Sequence, residues 1–405
     1  MLVHGHRRGP WALKLVGACT IVILLGFNAW WYWRDNRALP ELRTVSEWMR
    51  REQYGRAELV LREHLRKSPH NGEARMMLGR ALAGRGDLPG CARQLHEVPY
   101  WWPRKAEALL REGQAYLQID RAKDAEAAWL CALRDDPLHS ISPDLFHDVS
   151  QELLKLYAIE DRWEDAYPVI WTAYDHALPY ERPVLLVMRM RPELERVAHK
   201  DTIEILKRYV AAAPDDWEAL RALARAERAL GNPDEAARLF QACLKGSPDD
   251  VRAWRDNLTM FQDQGDQEAF LALLETPPKS AESEPETWLF RAVASESRQD
   301  LETAAKYLRK AIELDPFVSK YYYRLAMVEQ RLGLHEEARA HRARTKEMNE
   351  ARAQLGTAYS DYFVARDDTD GGAKMSAVCR QLASICETLG WSRAAHGWSR
   401  LAIAP

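Results

Sequence analysis

A recurrence with a period of about 34 residues constrains this chain more than any other feature. Pro69, Pro103 and Pro137 are evenly spaced at that interval, Pro214 and Pro248 repeat it, and Pro316 follows two intervals later. A second column, Ala236, Phe270, Ala304 and Ala338, keeps the same spacing, and so does a third, Gly231, Gly265, Gln299 and Gly333. Trp254 and Trp288 form a fourth. A fixed period of this length means one supersecondary unit written many times, each copy burying its apolar face on its neighbours. The chain therefore folds as an array and not around one central core.

Within a period the pattern is helical. Leu220, Leu223, Ala224 and Leu230 fall on one face of a helix of 3.6-residue period. Gly231-Asn232 then reads as a stop, and Pro233 suits the first turn of a second helix. That helix carries Ala236, Leu239, Phe240 and Cys243 and ends before Pro248. Each unit is a helical hairpin, and the small-residue column marks where its two helices approach closely.

These hairpins resemble the tetratricopeptide repeat family, whose unit is a helix-turn-helix of about 34 residues. The resemblance is clearest at residues 108–137 and 217–350 and covers most of the chain after residue 37. It implies an all-α solenoid of about ten units, some degenerate, that binds proteins and has no catalytic role and no cofactor. Residues 38–350 are expected to form the array, with the period stretched at 138–148 and 175–195. The unit from Val251 has a clipped second helix running into ETPPKSAESEPE. Residues 351–375 break the register and read as an irregular linker, with a loop at Asp367–Gly372. A last unit, 376–405, resumes the pattern without an obvious polar capping helix. One continuous superhelix and an array kinked near 175–200 both fit.

The first 37 residues are different. Arg7, Arg8 and Lys14 precede an uninterrupted apolar run from Leu15 to Trp33, in which Asn28 is the only strongly polar residue. Nineteen residues of helix span about 30 Å, the hydrocarbon thickness of a bilayer. Trp30, Trp31, Tyr32 and Trp33 would sit at headgroup level. Four aromatics stand where a signal peptidase needs small residues, so a retained single-pass anchor is expected instead of a cleaved leader. The basic flank favours a cytoplasmic N-terminus, which puts the repeat body on the far, periplasmic or extracytoplasmic side.

Composition narrows the function. With 57 basic and 60 acidic residues the net charge is -3, and removing residues 1–37 leaves 52 basic and 59 acidic. Such a body lacks the basic surface that releases counterions from phosphate, so nucleic acid is excluded as a general partner. Six cysteines are too few for a disulfide scaffold. Cys91, Cys131 and Cys243 read as small second-helix packing residues, and Cys379 and Cys386 stand too far apart along a helix to bridge.

No catalytic pattern emerges. There is no nucleophile elbow and no phosphate-binding loop. Gly84-Arg85-Gly86-Asp87 lies in an inter-helix turn and follows no strand. His335 and His341 are six apart, so about 200° of helix wheel separates them and they cannot share a metal. Asp368, Asp370 and Gly371 are too sparse for a calcium loop.

The remaining candidate is electrostatic. In the family the first helices line a concave groove. Arg221, Arg225 and Arg228 make one stripe on such a helix, and Arg255 stands one period after Arg221 with Arg252 nearby. Leu289, Val293, Tyr323 and Met327 take corresponding places further on. A groove running from basic to apolar and aromatic suits an acidic, partly hydrophobic peptide. The Lys and Asn set of chaperone-tail-binding family members is absent. A membrane-anchored scaffold is the leading functional expectation, and an accessory factor delivering clients to an envelope enzyme or secretion complex is the alternative.

Overall fold

The computed structural model describes residues 26, 40–134, 141–194, 199–368 and 372–403. The expected span Leu15–Trp33 lies, apart from Gly26, outside the described residues. No described helix is long and apolar enough to cross a membrane. Among the described residues there are α-helices and one short 3-10 turn but no strand.

The chain divides into two compact units, with the boundary between Leu145 and Phe146. The first contains α1 (Pro40–Arg50), α2 (Tyr54–Lys67), α3 (Gly72–Gly84), α4 (Leu88–His96), α5 (Lys105–Gln118) and α6 (Ala122–Ala132). Consecutive helices pack as hairpins, and the first helices α1, α3 and α5 also touch in series. Leu42, Leu61, Met76, Leu78, Leu95 and Trp102 fill one continuous core. The buried indole of Trp129 donates to the carbonyl of Leu110 at 3.1 Å, tying α6 to α5.

The boundary falls in the first turn of α7 (Pro143–Ile159), and the second unit continues with α8 (Trp163–His176), α9 (Arg182–Leu194) and α10 (His199–Ala212). Regular hairpins follow: α11 (Trp217–Ala229) with α12 (Pro233–Gly246), α13 (Val251–Gln264) with the short α14 (Gln267–Leu274), and α15 (Pro285–Ser297) with α16 (Leu301–Leu314). The chain ends in α17 (Ser319–Arg331), α18 (His335–Asp367), α19 (Gly372–Thr388) and α20 (Ser392–Ile403).

The period is visible in the backbone as well as in the side chains. Glu52, Gly86 and Asp120, and then Gly231, Gly265, Gln299 and Gly333, have positive φ between the two helices of their hairpins, each one period from the last. A left-handed residue ends one helix and turns the chain into the next. Aspartates start the helices at the same spacing: Asp216 and Asp250 cap first helices, and Asp266 and Asp300 cap second helices. Their carboxylates accept from backbone N–H groups left unpaired at each helix start. Ala236, Ala304 and Ala338 are completely buried where helices meet.

Two expectations need correction. The irregular linker over 351–375 is helical through Asp367, as part of the 33-residue α18. Ala351, Leu355, Ala358, Tyr362 and Ala365 recur every three or four residues and are buried, so their stripe sustains the helix although the repeat register has lapsed. Cys131 is exposed, while Cys91, Cys243, Cys379 and Cys386 are buried as expected.

The last hairpin also lacks the open end that its sequence suggests. Helix α9 packs back on α18 and α20, and Leu186, Val187 and Met190 share a core with Leu355, Tyr362, Leu382 and Trp398. The approach is close enough to need a glycine: a Cβ on Gly397 would stand 2.8 Å from a methyl of Leu186. Arg189 is clamped between the rings of Tyr167 and Trp391, each 4.0 Å from its guanidinium carbon. Such contacts favour the cation over both aromatic faces. The apolar face of α20 is thereby covered by α9, so no separate polar cap is required.

Candidate partner-binding face

The arginines singled out from the sequence do stand together, but not as a free stripe. Consecutive first helices α11 and α13 lie side by side, and Arg221, Arg225, Arg252 and Arg255 converge on a cavity of about 220 Å3. Asp161, Arg162, Trp163 and Glu164 line its other side. Asp161, with a positive φ of 52°, and Arg162 form the turn between α7 and α8, and Trp163 and Glu164 open α8.

Arg221 is the most enclosed, with only 2% of its side chain exposed. It bonds Glu218 at 2.5 Å and approaches Asp256 at 3.4 Å. Arg225 donates to the backbone carbonyls of Glu160 at 2.7 Å and Asp161 at 2.6 Å. Arg252 grips both carboxylate oxygens of Asp165 at 2.7 Å, and Arg255 bonds Glu164 at 2.9 Å. Arg162 joins the same network through Glu160 at 2.8 Å and Asp165 at 2.7 Å. Arg228 lies outside the cavity lining and pairs with Asp263 at 3.6 Å.

The electrostatics follow from this enclosure. Burial opposes the charge of Glu218, yet the guanidiniums of Arg221, Arg162 and Arg252 hold its carboxyl below the usual carboxylate range. Asp165 is likewise held low against burial, by Arg252 and Arg162. Burial lowers the pKa of Arg225, and its Nε is a buried donor without a hydrogen-bond partner. The Arg252 guanidinium is held above its ordinary value, mainly by its hydrogen bonds to Asp165. The arginine stripe is thus an ion-pair network formed inside the unit, and its exposure was overestimated from the sequence.

The apolar half of the expected groove separates into two kinds of residue. Leu289 is 2% exposed and belongs to the core with Ala292, Ala304 and Leu325. Val293 is half-buried against the Trp254–Phe270–Phe290 core. Tyr323 and Met327, one turn apart on α17, are 57% and 45% exposed. Tyr323 borders a recess of about 480 Å3 also lined by Arg342, Thr345, Lys346, Asn349 and Glu350 of α18. This polar lining falls on a second helix, whereas the sequence expectation drew the groove from first helices alone. The string Glu160-Asp161-Arg162-Trp163-Glu164-Asp165, four acids in six residues, was the overlooked signal for the arginines' partner.

Among the described residues no group of three or more His, Cys, Asp or Glu is placed to share a metal. His341 instead meets Glu329 at 2.7 Å, and His335 contacts Gln330. Burial pushes the thiols of Cys243 and Cys386 up to about 12 and that of Cys91 up to about 11. Thiols held in that range carry little nucleophilic thiolate.

Family profiles of the tetratricopeptide repeat match residues 47–90, 217–257 and 285–317, and these segments are tetratricopeptide repeats. No curated protein matches the chain. Among solved structures, MamA from Desulfovibrio magneticus RS-1 is 22% identical, covering 41% of this chain and 94% of that one at a TM-score of 0.34. Pseudomonas aeruginosa pilF is 14% identical, covering 54% of this chain and 90% of that one at 0.34. The Cut9–Hcn1 hetero-tetramer of the APC/C is 12% identical, covering 89% of each chain at 0.33. The functional reading rests on this chain's own residues.

Proposed function

We propose that this protein is a non-catalytic adaptor that holds a protein partner on the α17–α18 face and is anchored in a membrane by residues 15–33. The observation that carries the docking reading is the exposure of Tyr323 and Met327 on a first helix beside a recess lined by Arg342, Lys346, Asn349 and Glu350. Two large apolar side chains at i and i+4 form one stripe, and such stripes are where amphipathic peptides seat their anchors. Arg342 in the lining fits an acidic residue next to those anchors, while Lys346 already faces Glu350 at 3.7 Å.

Anchoring rests on the length and flanks of the apolar run, and an extracytoplasmic body rests on its basic N-terminal side. Full-length protein should stay in the membrane through a carbonate wash, and a 38–405 fragment should be released. A fragment that stays bound would overturn the anchor. For docking, cross-linking in native membranes should give a discrete adduct with the wild type that is lost in Tyr323→Ala/Met327→Ala and regained in Tyr323→Phe. An adduct that survives the double substitution would place the partner elsewhere.

A further inference from the structure

We propose that the arginines of α11 and α13 form a second receptor surface, one for an acidic segment. The chain's own segment 160–165, the α7–α8 turn with the first residues of α8, is its resident occupant, which a partner's acidic segment displaces. Stacking of repeats does not produce this contact. In a solenoid each repeat touches only its neighbours. The Arg252–Asp165 and Arg255–Glu164 pairs join positions 87 and 91 residues apart, more than two periods of the array.

The turn is held in the manner of a bound peptide. Its backbone is gripped as well as its side chains, because Arg225 takes the carbonyls of Glu160 and Asp161 while Arg252 and Arg255 take Asp165 and Glu164. Trp163 lines the same cavity between the two acidic pairs. The chemistry of an occupant is therefore legible: acidic residues flanking an aromatic, in a turn that leads into a helix start and leaves the carbonyls of its first two residues accessible.

The arginines differ in how far they depend on this occupant. Arg221 is neutralised within its own hairpins by Glu218 and Asp256. Arg252 and Arg255 draw their short contacts from the turn. Beyond that segment, Glu218 for Arg252 and Glu284 for Arg255 stand at 3.9 Å, and Asp256 and Glu286 also act on Arg255 through their charge. Glu164 is 54% exposed, so its pair with Arg255 is open to solvent and to competition. Removing the turn would take the short carboxylate contacts from Arg252 and Arg255 and free the two carbonyl-binding N–H groups of Arg225, which leaves a site for an acidic peptide.

The test needs no knowledge of the natural partner. A labelled peptide of residues 158–167, AIEDRWEDAY, is titrated into full-length protein in detergent at about 0.1 M salt. Wild type should bind it weakly, because the resident turn competes at high effective concentration. Glu164→Gln/Asp165→Asn should bind at least about tenfold more tightly, with affinity falling towards about 1 M salt. Arg252→Gln/Arg255→Gln loosens the same turn but removes the receptor, and it should not bind. Equal affinity in wild type and the acid variant, equal binding by a scrambled peptide, or tight binding by the arginine variant would each overturn the proposal. Hydrogen exchange on the wild type covers the case of a misfolded variant. Amides of 160–166 should exchange several-fold faster at high salt while those of α11 and α13 do not, and an unchanged rate at 160–166 overturns the proposal. Neither readout involves Tyr323, so failure here leaves the α17–α18 docking reading to its own test.

Discussion

Arg252 closes a two-pronged ion pair on Asp165, both N–O distances 2.7 Å, across 87 residues of chain. Each side chain is less than a third exposed, so the pair is only partly screened by solvent. Removing one partner should therefore cost more than a surface ion pair does, about 1.5–3 kcal/mol. A double-mutant cycle with Asp165→Asn and Arg252→Gln measures the coupling by denaturant unfolding. Additive single changes would mean that the pair contributes no coupling energy.

The same pair sets a pH response. Asp165 and Glu218 have folded pKa values held below their ordinary ones. The stability they contribute is therefore fully present above the ordinary carboxylate range and is lost as pH falls through the lowered values. The thermal midpoint should change little due to these groups between pH 8 and pH 5 and drop below about pH 4. The Asp165→Asn variant should drop less steeply. Parallel acid profiles for wild type and variant would exclude Asp165 as a contributor.

Charge reversal in the arginine cluster now has an expected outcome opposite to the one suggested by an exposed stripe. Arg221→Glu would place an anion beside Glu218 and Asp256 in an enclosed site, at a cost of at least about 3 kcal/mol. Tyr323→Ala, by contrast, alters a side chain 57% exposed and should change stability by no more than about 0.5 kcal/mol. Circular dichroism melts of the two variants make the comparison directly.

Closure of α20 onto α9 depends on the absence of a side chain at Gly397. A Cβ there would meet the methyls of Leu186 at 2.8 and 3.0 Å and the hydroxyl of Tyr174 at 3.0 Å. Gly397→Val should cost about 1–3 kcal/mol through overpacking and should raise hydrogen exchange in α19 and α20 first. Uniform destabilisation of α11–α16 instead would refute a local closure.

Glu52 tests the opposite sign. It holds φ at 57°, in the position that glycine fills one period later at Gly86. An L side chain is strained there, so Glu52→Gly is expected to stabilise the first unit by about 0.5–1 kcal/mol after the entropic penalty of glycine is included. A lower unfolding midpoint for the variant would contradict the assigned turn.

The sequence by itself determined what recurs between neighbours. Hairpin order, the left-handed turn at Gly231, Gly265, Gln299 and Gly333, and the buried column at Ala236, Ala304 and Ala338 are all interactions within one period or between adjacent ones. They leave a mark once in every period because each repeat must solve the same packing problem. The tertiary structure decided what happens once. Glu164 and Asp165 meet Arg255 and Arg252 only because the start of α8 reaches first helices more than two periods away. Leu186 meets Gly397 only because α9 returns to the last hairpin. Whether Arg221 faces solvent or an internal carboxylate depends on such contacts, and a single pairing between distant positions has no period to reveal it.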